Sequence, residues 1–315
     1  MTTRIPASNE TTIMQHYGPT ILQRGNLRAI NCDACGYAHL DPLPTEAALA
    51  EYYRDEFYHE GRPLLEQDAR QQWYRRLVFR ERMREFERLV DTLSVKVLRE
   101  TGKGFLSLID WGAGYGRFTD YVCDEWDDRH WFAWGYEPSA KAAMNAKHPV
   151  VVNTDHPSSW GAGLFDAIHC SLVLEHVRDP VATLRQMHDL LLPGGVLCVI
   201  VPNEFNELQN RLRRWGYSPL NKEHVNYFTP ETLRPCLERA GFEVLRTTAS
   251  FPIEWFALHG LNYVKFPSTG KVAHTLRMLF EAALLTLAPG LKRRLYERWA
   301  RKGVGREVEV WARKA

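Results

Sequence analysis

Short apolar runs alternate with segments of helical period between about residue 104 and residue 249. This alternation predicts a parallel sheet that is covered by helices on both faces. The final segment, "GREVEVWARK", instead has the two-residue period of a half-exposed strand. The predicted strands are Phe105 to Trp111, Trp131 to Tyr136, Val150 to Asn153, Phe165 to Ser171, Gly195 to Val201, Phe242 to Thr248 and Gly305 to Lys314.

The rest of the chain divides into three further regions. Residues 1–60 are rich in turn-forming residues and contain a short cysteine knuckle followed by a Pro-rich link. In residues 61–103, apolar residues recur at near-helical spacing from Leu65 onward among arginines and glutamates, which predicts a long amphipathic helix. Residues 250–303 form a basic, helical insertion before the last strand, so the core comprises residues 104–249 and 304–315.

The composition excludes several classes of protein. The chain has 315 residues, of which 45% are hydrophobic and 25% charged, as in ordinary globular proteins. Its formal net charge of +2 does not indicate a nucleic-acid partner. The first residues lack the apolar core of a secretory leader, and the apolar run from Met278 is too short to span a bilayer. We therefore expect a cytoplasmic protein without a membrane span.

Three glycines at every second position follow the first core strand. Gly112, Gly114 and Gly116 precede a helix that begins near Arg117. Glycine accepts a positive φ and lets a ligand approach the backbone, and the start of a helix attracts anionic groups. A dinucleotide fingerprint requires glycine where Arg117 stands, and a triphosphate loop requires a following Gly-Lys-Ser/Thr, which this chain lacks. Taken alone, the pattern fits either a different ligand loop or a tight strand-to-helix corner.

An acidic residue follows the second core strand in "WGYEPSA". Because neighbouring parallel strands end at one edge of a sheet, we expect Glu137 beside the glycine loop. A carboxylate in that position can accept hydrogen bonds from two neighbouring ribose hydroxyls. The alternative is an exposed glutamate before a helix that starts with proline.

The motifs "DWGAGYG", "YEPS", "FDAI…LEHVRDP" and "LLPGG" occur in an order that resembles the class I S-adenosylmethionine-dependent methyltransferases. The resemblance covers roughly residues 104–249 and the last strand. It implies a doubly wound, Rossmann-like α/β sheet of seven strands with the last strand antiparallel, and S-adenosylmethionine as the cofactor. It also implies that the glycine loop passes under the methionine part of the cofactor and that Glu137 binds the ribose. The implied cofactor residues are Asp110, Trp111, Gly112, Ala113, Gly114, Tyr115, Gly116, Glu137, Pro138, Asp155 or His156, Ser171 and Leu172.

Methyl transfer requires alignment of the two reactants, and a base if the acceptor loses a proton. His224 in "NKEHVNYFTPETL" is the first candidate base, with Glu223 beside it to position or charge the ring. His176 is a second catalytic candidate, and Asn203 and Tyr227 are candidates to orient an acceptor hydroxyl. For each of these residues a purely structural role in a loop is the alternative.

The stretch "EH..YF" is similar to the segment that supplies a catalytic Glu-His pair in sugar C-methyltransferases. The segments "YGPTILQRG" and "HLDPLPTEAALAEYYRDEFY" are similar to parts of bacterial methyltransferases of surface-polysaccharide biosynthesis. These resemblances imply a sugar or sugar-nucleotide acceptor that is methylated on a hydroxyl. Methylation of a keto-sugar carbon is the alternative, but Asn221 and Lys222 depart from the tyrosine and histidine of the C-methylating enzymes. Phosphate groups of such an acceptor would meet Arg75, Arg76, Lys292, Arg293 and Arg294.

The knuckle "CDACG" has the spacing of half a zinc ribbon, with Cys32 and Cys35 projecting from one turn. A complete site needs two further ligands, for which only His16 or His39 is at hand. The sugar C-methyltransferases carry a full cysteine-rich zinc module here, so the resemblance implies a relative that has lost half of the site. The sequence therefore favours a reduced, metal-free pair over bound zinc.

Two other functions fit parts of the sequence. A nicotinamide-dependent sugar epimerase or dehydrogenase is disfavoured by Arg117 and by the lack of a Tyr-x-x-x-Lys pair. A non-catalytic methyltransferase-fold subunit is disfavoured by the glycine loop and Glu137, because a scaffold needs neither. The sequence gives no oligomeric state.

Overall fold

A computed structural model of the chain describes residues 16–55, 69–101, 105–126, 130–152 and 160–315. Asp155 and His156, which the resemblance implies as alternative cofactor residues, lie outside the described residues. The strands of the described part, in chain order, are β1 Thr20–Arg24, β2 Leu27–Cys32, β3 Tyr37–Leu40, β4 Leu106–Trp111, β5 Trp131–Glu137, β6 Val150–Val152, β7 Phe165–Ser171, β8 Leu191–Pro202, β9 Asn226–Tyr227, β10 Phe242–Ala249 and β11 Glu307–Lys314. The helices are α1 Glu46–Asp55, α2 Ala69–Thr101, α3 Arg117–Glu125, α4 Ala140–Ala143, α5 Pro180–Leu190, α6 Glu207–Leu212, α7 Pro230–Arg239, α8 Glu254–Leu258, α9 Gly270–Leu287 and α10 Pro289–Arg301.

A seven-stranded sheet forms the centre of the fold. Its strands lie in the order β10-β11-β8-β7-β4-β5-β6. Strand β11 runs antiparallel to both of its neighbours, whereas the other neighbouring strands are parallel. The predicted doubly wound α/β class, with seven strands and an antiparallel last strand, is confirmed.

Both faces of this sheet are buried, as the continuous apolar runs require. On one face, Ile109 and Ile168 pack with residues of α5 and α7. On the other face, Leu108 and Trp311 pack with Phe86 of α2 and with residues of α3. Successive residues of β4 thus enter opposite cores, and α2 is one of the covering helices.

The amino-terminal hairpin belongs to a second sheet of order β1-β2-β3-β9. Strand β9 lies far along the chain, after β8, and it pairs with β3 through His39 and Asn226. The knuckle cysteines Cys32 and Cys35 are buried in the same core cluster as Ile168. The hairpin is therefore joined to the central fold by both backbone pairing and packing.

The segment between β10 and β11 is helical and contains α8, α9 and α10. Its own apolar cluster includes Phe251, Trp255 and Trp299. A buried ion pair between Arg277 and Glu281, with nitrogen and oxygen 2.6 Å apart, lies on the inner side of α9. Among the residues that the structure describes, no helix is long and apolar enough to cross a membrane.

Candidate functional site

The glycine loop connects β4 to α3. Gly112, Gly114 and Gly116 have φ angles of 75°, 55° and 72°, in the left-handed region that favours glycine. The amide of Gly112 donates to the carbonyl oxygen of Tyr136 at 2.8 Å and so fastens the loop to β5. A Cβ on Gly112 would lie 2.4 Å from Cγ2 of Val173. Glycine is required at this position by both the backbone angle and the close contact.

Glu137 ends β5 and contacts the glycine loop. Its Oε2 accepts a hydrogen bond from the amide of Gly114 at 2.8 Å, and its Oε1 accepts one from the amide of Ser139 at 2.9 Å. The side chain is buried, whereas the neighbouring Pro138 is exposed. These two amides fix the orientation of the carboxylate directly beside the loop.

A buried network connects Asp110 to helix α2. Oδ1 of Asp110 accepts a hydrogen bond from Nδ1 of His169 at 2.7 Å, and Nη1 of Arg82 lies 3.3 Å from Nε2 of the same ring. The guanidinium has only donors, so Nε2 is the accepting nitrogen and the ring is neutral. Burial lowers the pKa of His169, although the charge of Asp110 opposes this. The network holds the Asp110 carboxylate at the end of β4.

A cleft of about 300 Å³ lies over the glycine loop. Seven of the predicted cofactor residues line it, including the loop residues from Gly112 to Tyr115 and both residues at the end of β7. Helix α2 contributes two arginines and Phe79, which the sequence analysis did not assign to the cofactor site. The lining residues are Arg75, Phe79, Arg82, Asp110, Gly112, Ala113, Gly114, Tyr115, Arg117, Phe118, His169, Ser171 and Leu172.

Four predicted cofactor residues do not line this cleft. The side chain of Trp111 is buried in the core, with its ring centroid 4.7 Å from that of Tyr136. Gly116 precedes the first residue of α3 as its N-cap. Glu137 and Pro138 are adjacent to the loop but not part of the lining. A cofactor contact from Trp111 is therefore restricted to its backbone.

His224 is bound to a carboxylate that the sequence analysis missed. Its Nδ1 lies 2.9 Å from Oε2 and 3.0 Å from Oε1 of Glu204. Both residues are largely buried. Burial alone would lower the pKa of His224, but the hydrogen bond and charge of Glu204, with smaller contributions from Glu175 and Glu223, raise it. Burial in turn raises the pKa of Glu204, against the opposing effect of His224.

His176 lies beside His224, with the two ring centroids 5.1 Å apart. Its Nδ1 is 2.7 Å from the carbonyl oxygen of Glu223, while the side chain of Glu223 accepts from the hydroxyl of Tyr52 at 3.2 Å. Glu223, which was predicted to position His224, holds His176 through its backbone carbonyl, and its charge raises the pKa of His224. The direct partner of His224 is Glu204.

Glu175 completes this group of titratable side chains. It is 1% exposed, and neither carboxylate oxygen has a hydrogen-bond partner within the described ranges. Burial raises the pKa of Glu175 to about 8. Glu175, His176 and His224 each bring one donor atom within 4.8 Å of the others, an arrangement that can share protons and can also hold a divalent cation.

The two residues predicted to orient the acceptor are both buried. Asn203 is fully buried, and its Nδ2 donates to the carbonyl oxygens of Gly303 and Gly305 at 3.3 and 3.0 Å. It therefore holds the end of β8 to the segment that enters β11. Tyr227 is 2% exposed and packs in a cluster with Phe205, 4.9 Å between ring centroids. A role of either residue in orienting an acceptor therefore stays a prediction.

The cysteine knuckle lies within a cluster of four metal-binding side chains. Nδ1 of His16 is 3.7 Å from Sγ of Cys32 and 3.3 Å from Sγ of Cys35. Nδ1 of His39 donates to the carbonyl oxygen of Leu40 at 2.7 Å, and its Nε2 is buried without a partner in the described part of the chain. Donor atoms of all four side chains lie within 4.8 Å of one another. Burial raises the pKa of Cys35 to about 12, so a metal-free Cys35 is a thiol.

The basic residues predicted to meet phosphates do not form one surface. Arg75 lines the cleft over the glycine loop. Arg76 pairs with Glu125, and Nζ of Lys292 lies 2.6 Å from Glu81. Arg293 and Arg294 line a different groove, between α2 and α10. Only Arg75 is therefore placed to meet a ligand in the cleft.

Comparison with known proteins agrees with this geometry. A family model described as "Methyltransferase domain" matches residues 74–247, more than half of the chain. The ubiquinone biosynthesis O-methyltransferase of Cronobacter sakazakii is 24% identical over 179 residues, which cover 53% of this chain and 69% of that protein. The protein of the same name from Ralstonia nicotianae is 29% identical over 147 residues, 44% of this chain and 50% of that protein. The chain thus spans between half and about two thirds of the length of these curated relatives.

A structural likeness was also found. A SAM-dependent methyltransferase from Archaeoglobus fulgidus is 17% identical, with a TM-score of 0.44 over 72% of this chain and 97% of that chain. The matched family region contains the glycine loop, Glu137 and the end of β7. The predictions of a class I methyltransferase and of S-adenosylmethionine as its cofactor are confirmed. The chain belongs to the methyltransferase domain family.

Proposed function

We propose that this chain transfers the methyl group of S-adenosylmethionine to a hydroxyl oxygen of a small, polar acceptor, with His224 as the general base. The observation that carries the proposal is the hydrogen bond between Nδ1 of His224 and Glu204. A carboxylate that accepts from Nδ1–H leaves the lone pair of the neutral ring on Nε2, which is the arrangement a base requires.

When bound, S-adenosylmethionine supplies an electrophilic methyl group on a sulfonium, with an electron pair returning to sulfur as the carbon–sulfur bond breaks. The acceptor oxygen forms the new bond to carbon, and its proton moves to Nε2 of His224. The imidazolium that results is stabilised by Glu204, whose carboxylate is already in contact with the ring. His224 thus removes the proton without any rearrangement of its partner.

The turn that follows β7 connects the cofactor cleft to His176 along the chain. Leu172 lines the cleft and has a φ of 58°, a strained backbone conformation for a non-glycine residue. Four residues later, His176 donates from Nδ1 to the carbonyl oxygen of Glu223 at 2.7 Å. This bond keeps the His176 ring against His224 and supports a role in positioning the base. Glu175 is the third member of the group.

The chemical class of the acceptor follows from two resemblances. The sequence resemblance to polysaccharide methyltransferases supports a sugar or sugar nucleotide. The curated relatives are named ubiquinone biosynthesis O-methyltransferases, which supports a phenolic hydroxyl as a second candidate. A phenol has a pKa near 10, so a buried histidine of raised pKa is well matched to it.

The experiment has two stages. Calorimetric titration with S-adenosylmethionine and S-adenosylhomocysteine, with NAD as the control, tests the cofactor site alone. Incubation with S-adenosylmethionine carrying a ¹³C-labelled methyl, and with a panel of sugar nucleotides and catechols, then tests the acceptor. A new signal in the chemical-shift range of O-methyl groups supports the proposal. A new carbon-bound methyl would replace it by the C-methylation alternative, and cofactor binding without any product across the panel would favour the non-catalytic subunit.

We also propose that His16, Cys32, Cys35 and His39 hold a structural zinc ion. Two thiolates and two imidazoles are a donor set that tetrahedral zinc prefers. The hydrogen bond from Nδ1 of His39 to Leu40 directs the Nε2 lone pair into the cluster, as for a typical histidine ligand. The same Nε2 is otherwise a buried polar atom without a partner among the described residues. The geometry therefore supports the ligand set that the sequence disfavoured.

A further inference from the structure

The solvent-facing side of α9 is apolar along its whole length. Val272, Leu276, Leu279, Phe280 and Leu287 are all exposed, with Leu279 at 55% and Leu287 at 84%. At 3.6 residues per turn, these positions fall within a stripe about 100° wide. Among exposed large hydrophobic side chains of the described residues, this helix alone contributes five. Contiguous apolar surface of this kind marks an interaction site on a soluble fold.

The opposite, buried side of α9 carries charge. Nη1 of Arg277 donates to Oε2 of Glu281 at 2.6 Å. The hydroxyl groups of Tyr74 and Tyr296 also donate to Glu281, and the amide of Phe251 donates to its Oε1 at 3.2 Å. Rotation of the helix to bury the apolar stripe would expose this network and leave its partners unsatisfied. The exposure of the stripe is therefore fixed by the packing of α9.

Exposed apolar residues also lie on either side of α9 in the sequence, and most charged residues of this region are basic. Phe266 precedes the helix and Leu291 follows it in α10, and both are at least half exposed. Between residues 261 and 302 the sequence has nine lysines and arginines but only two acidic residues, Glu281 and Glu297. Glu281 is buried in the network described above. The exposed basic residues of this region include Lys265, Lys271, Arg293 and Arg294.

We propose that the exposed face of α9, together with Phe266, Leu291 and the surrounding basic residues, docks on an anionic phospholipid membrane. An amphipathic surface of this composition inserts its apolar side chains into the acyl boundary while lysines and arginines contact the headgroups. A second copy of the chain is the less favourable occupant, because a twofold interface would bring two basic rims together. No helix in the described ranges can cross a bilayer, so the binding is peripheral.

Vesicle co-sedimentation of the full chain tests this surface. Phosphatidylcholine vesicles with and without 30% phosphatidylglycerol (about the anionic fraction at which polybasic surfaces bind) are the probes. We expect the wild-type chain to bind the anionic vesicles and to be released by salt. The double substitution Leu279→Asp/Leu287→Asp should weaken binding by about tenfold or more, because it removes apolar insertion and adds repulsion. Met144→Asp, at an equally exposed apolar residue of the core, is the matched control and should bind as the wild type does.

Vesicle binding and sedimentation velocity together distinguish a membrane from a second copy of the chain as the partner of the exposed face of α9. Retained binding by the double variant, or no binding by the wild-type chain, would overturn the proposal. A concentration-dependent dimer in sedimentation velocity, lost in the double variant without any vesicle binding, would assign the face to a second copy. Because every substituted side chain is exposed, thermal melting should be nearly unchanged and serves as the check on folding.

Discussion

Replacing Glu204 by glutamine removes the charge behind His224 and keeps the size of the side chain. Both Glu204 oxygens lie within 3.0 Å of Nδ1 of His224, and both residues are largely buried. A charge-assisted hydrogen bond of this kind contributes about 1.5 to 3 kcal/mol. If that energy stabilises the imidazolium that forms during methyl transfer, Glu204→Gln lowers kcat by about 10- to 150-fold.

The pH dependence of kcat should differ between the wild-type chain and Glu204→Gln. His224 acts as a base only when neutral, and its pKa in the folded chain lies above the ordinary histidine value of about 6.5 because Glu204 outweighs the effect of burial. In the wild-type chain kcat should therefore rise with pH through an inflection above that value. In Glu204→Gln the pKa falls, so the inflection moves to lower pH and the loss of kcat is largest at high pH.

Two measurements test this prediction without knowledge of the acceptor. The imidazole signals of His224, titrated by NMR, report its pKa directly in both proteins, and calorimetry reports the affinity for S-adenosylmethionine. Glu207→Gln, at an exposed glutamate that pairs with Arg211, is the matched control and should leave the pKa of His224 unchanged. An unchanged pKa of His224, or a loss of cofactor affinity equal to the loss of kcat, would refute the reasoning. Cys32→Ser disrupts the hairpin cluster, so a further loss of activity on chelation of this variant, restored by a divalent cation, would reassign the Glu175–His176–His224 group to metal binding.

Three further substitutions probe the loop and the hairpin. Glu137→Ala should weaken S-adenosylmethionine binding by about 1 to 3 kcal/mol in calorimetry, and unchanged affinity would remove this carboxylate from the cofactor site. Gly112→Ala should lower Tm and cofactor affinity, because its Cβ meets Val173 at 2.4 Å with φ at 75°. Gly25→Ala, at a similar φ of 59° but with open space around it, is the control and should cost only the backbone strain of about 1 to 2 kcal/mol. The Cys32→Ser chain should contain about one zinc ion less than the wild-type chain by elemental analysis, and its Tm should be lower. Cys123 lies outside the cluster, so the Cys123→Ser chain should keep the zinc content and the Tm of the wild-type chain.

The strands were predictable because their signal is local. Each core strand is an apolar run, and the predicted Phe165 to Ser171 agrees with β7. The start of α7 was also readable, since Thr229 caps it and Pro230 is its first residue. Strand β8 begins at Leu191, four residues before the predicted Gly195, because Leu191 pairs with Phe165 ahead of the Pro-Gly-Gly turn.

The partners within the site were not predictable, because they are set by tertiary contacts. Glu204 lies twenty residues before His224, and nothing in its local pattern marks it as a partner. Arg82 contacts His169 from α2, for which the sequence predicts only a long amphipathic helix. The sequence instead indicated Glu223, the neighbour of His224 in the chain, and it gave no sign that Asn203 and Tyr227 are buried. Proximity along the chain therefore did not identify the side chains that contact His224 and His169.

The hairpin sheet connects the proposed zinc cluster to the acceptor site. His39 in β3 pairs with Asn226 in β9, and the amides of Val225 and Asn226 donate to the carbonyl oxygen of Glu175 at 2.7 and 3.0 Å. His224 directly precedes this pair of residues, so loss of the ion from His39 should loosen the backbone that carries the base. The glycine loop belongs to a different sheet and should not respond. We therefore expect zinc removal to lower kcat while leaving the affinity for S-adenosylmethionine unchanged, and zinc addition to restore kcat. If kcat and the affinity for S-adenosylmethionine fall equally, the ion stabilises the whole fold. If neither falls, the hairpin has no effect on catalysis.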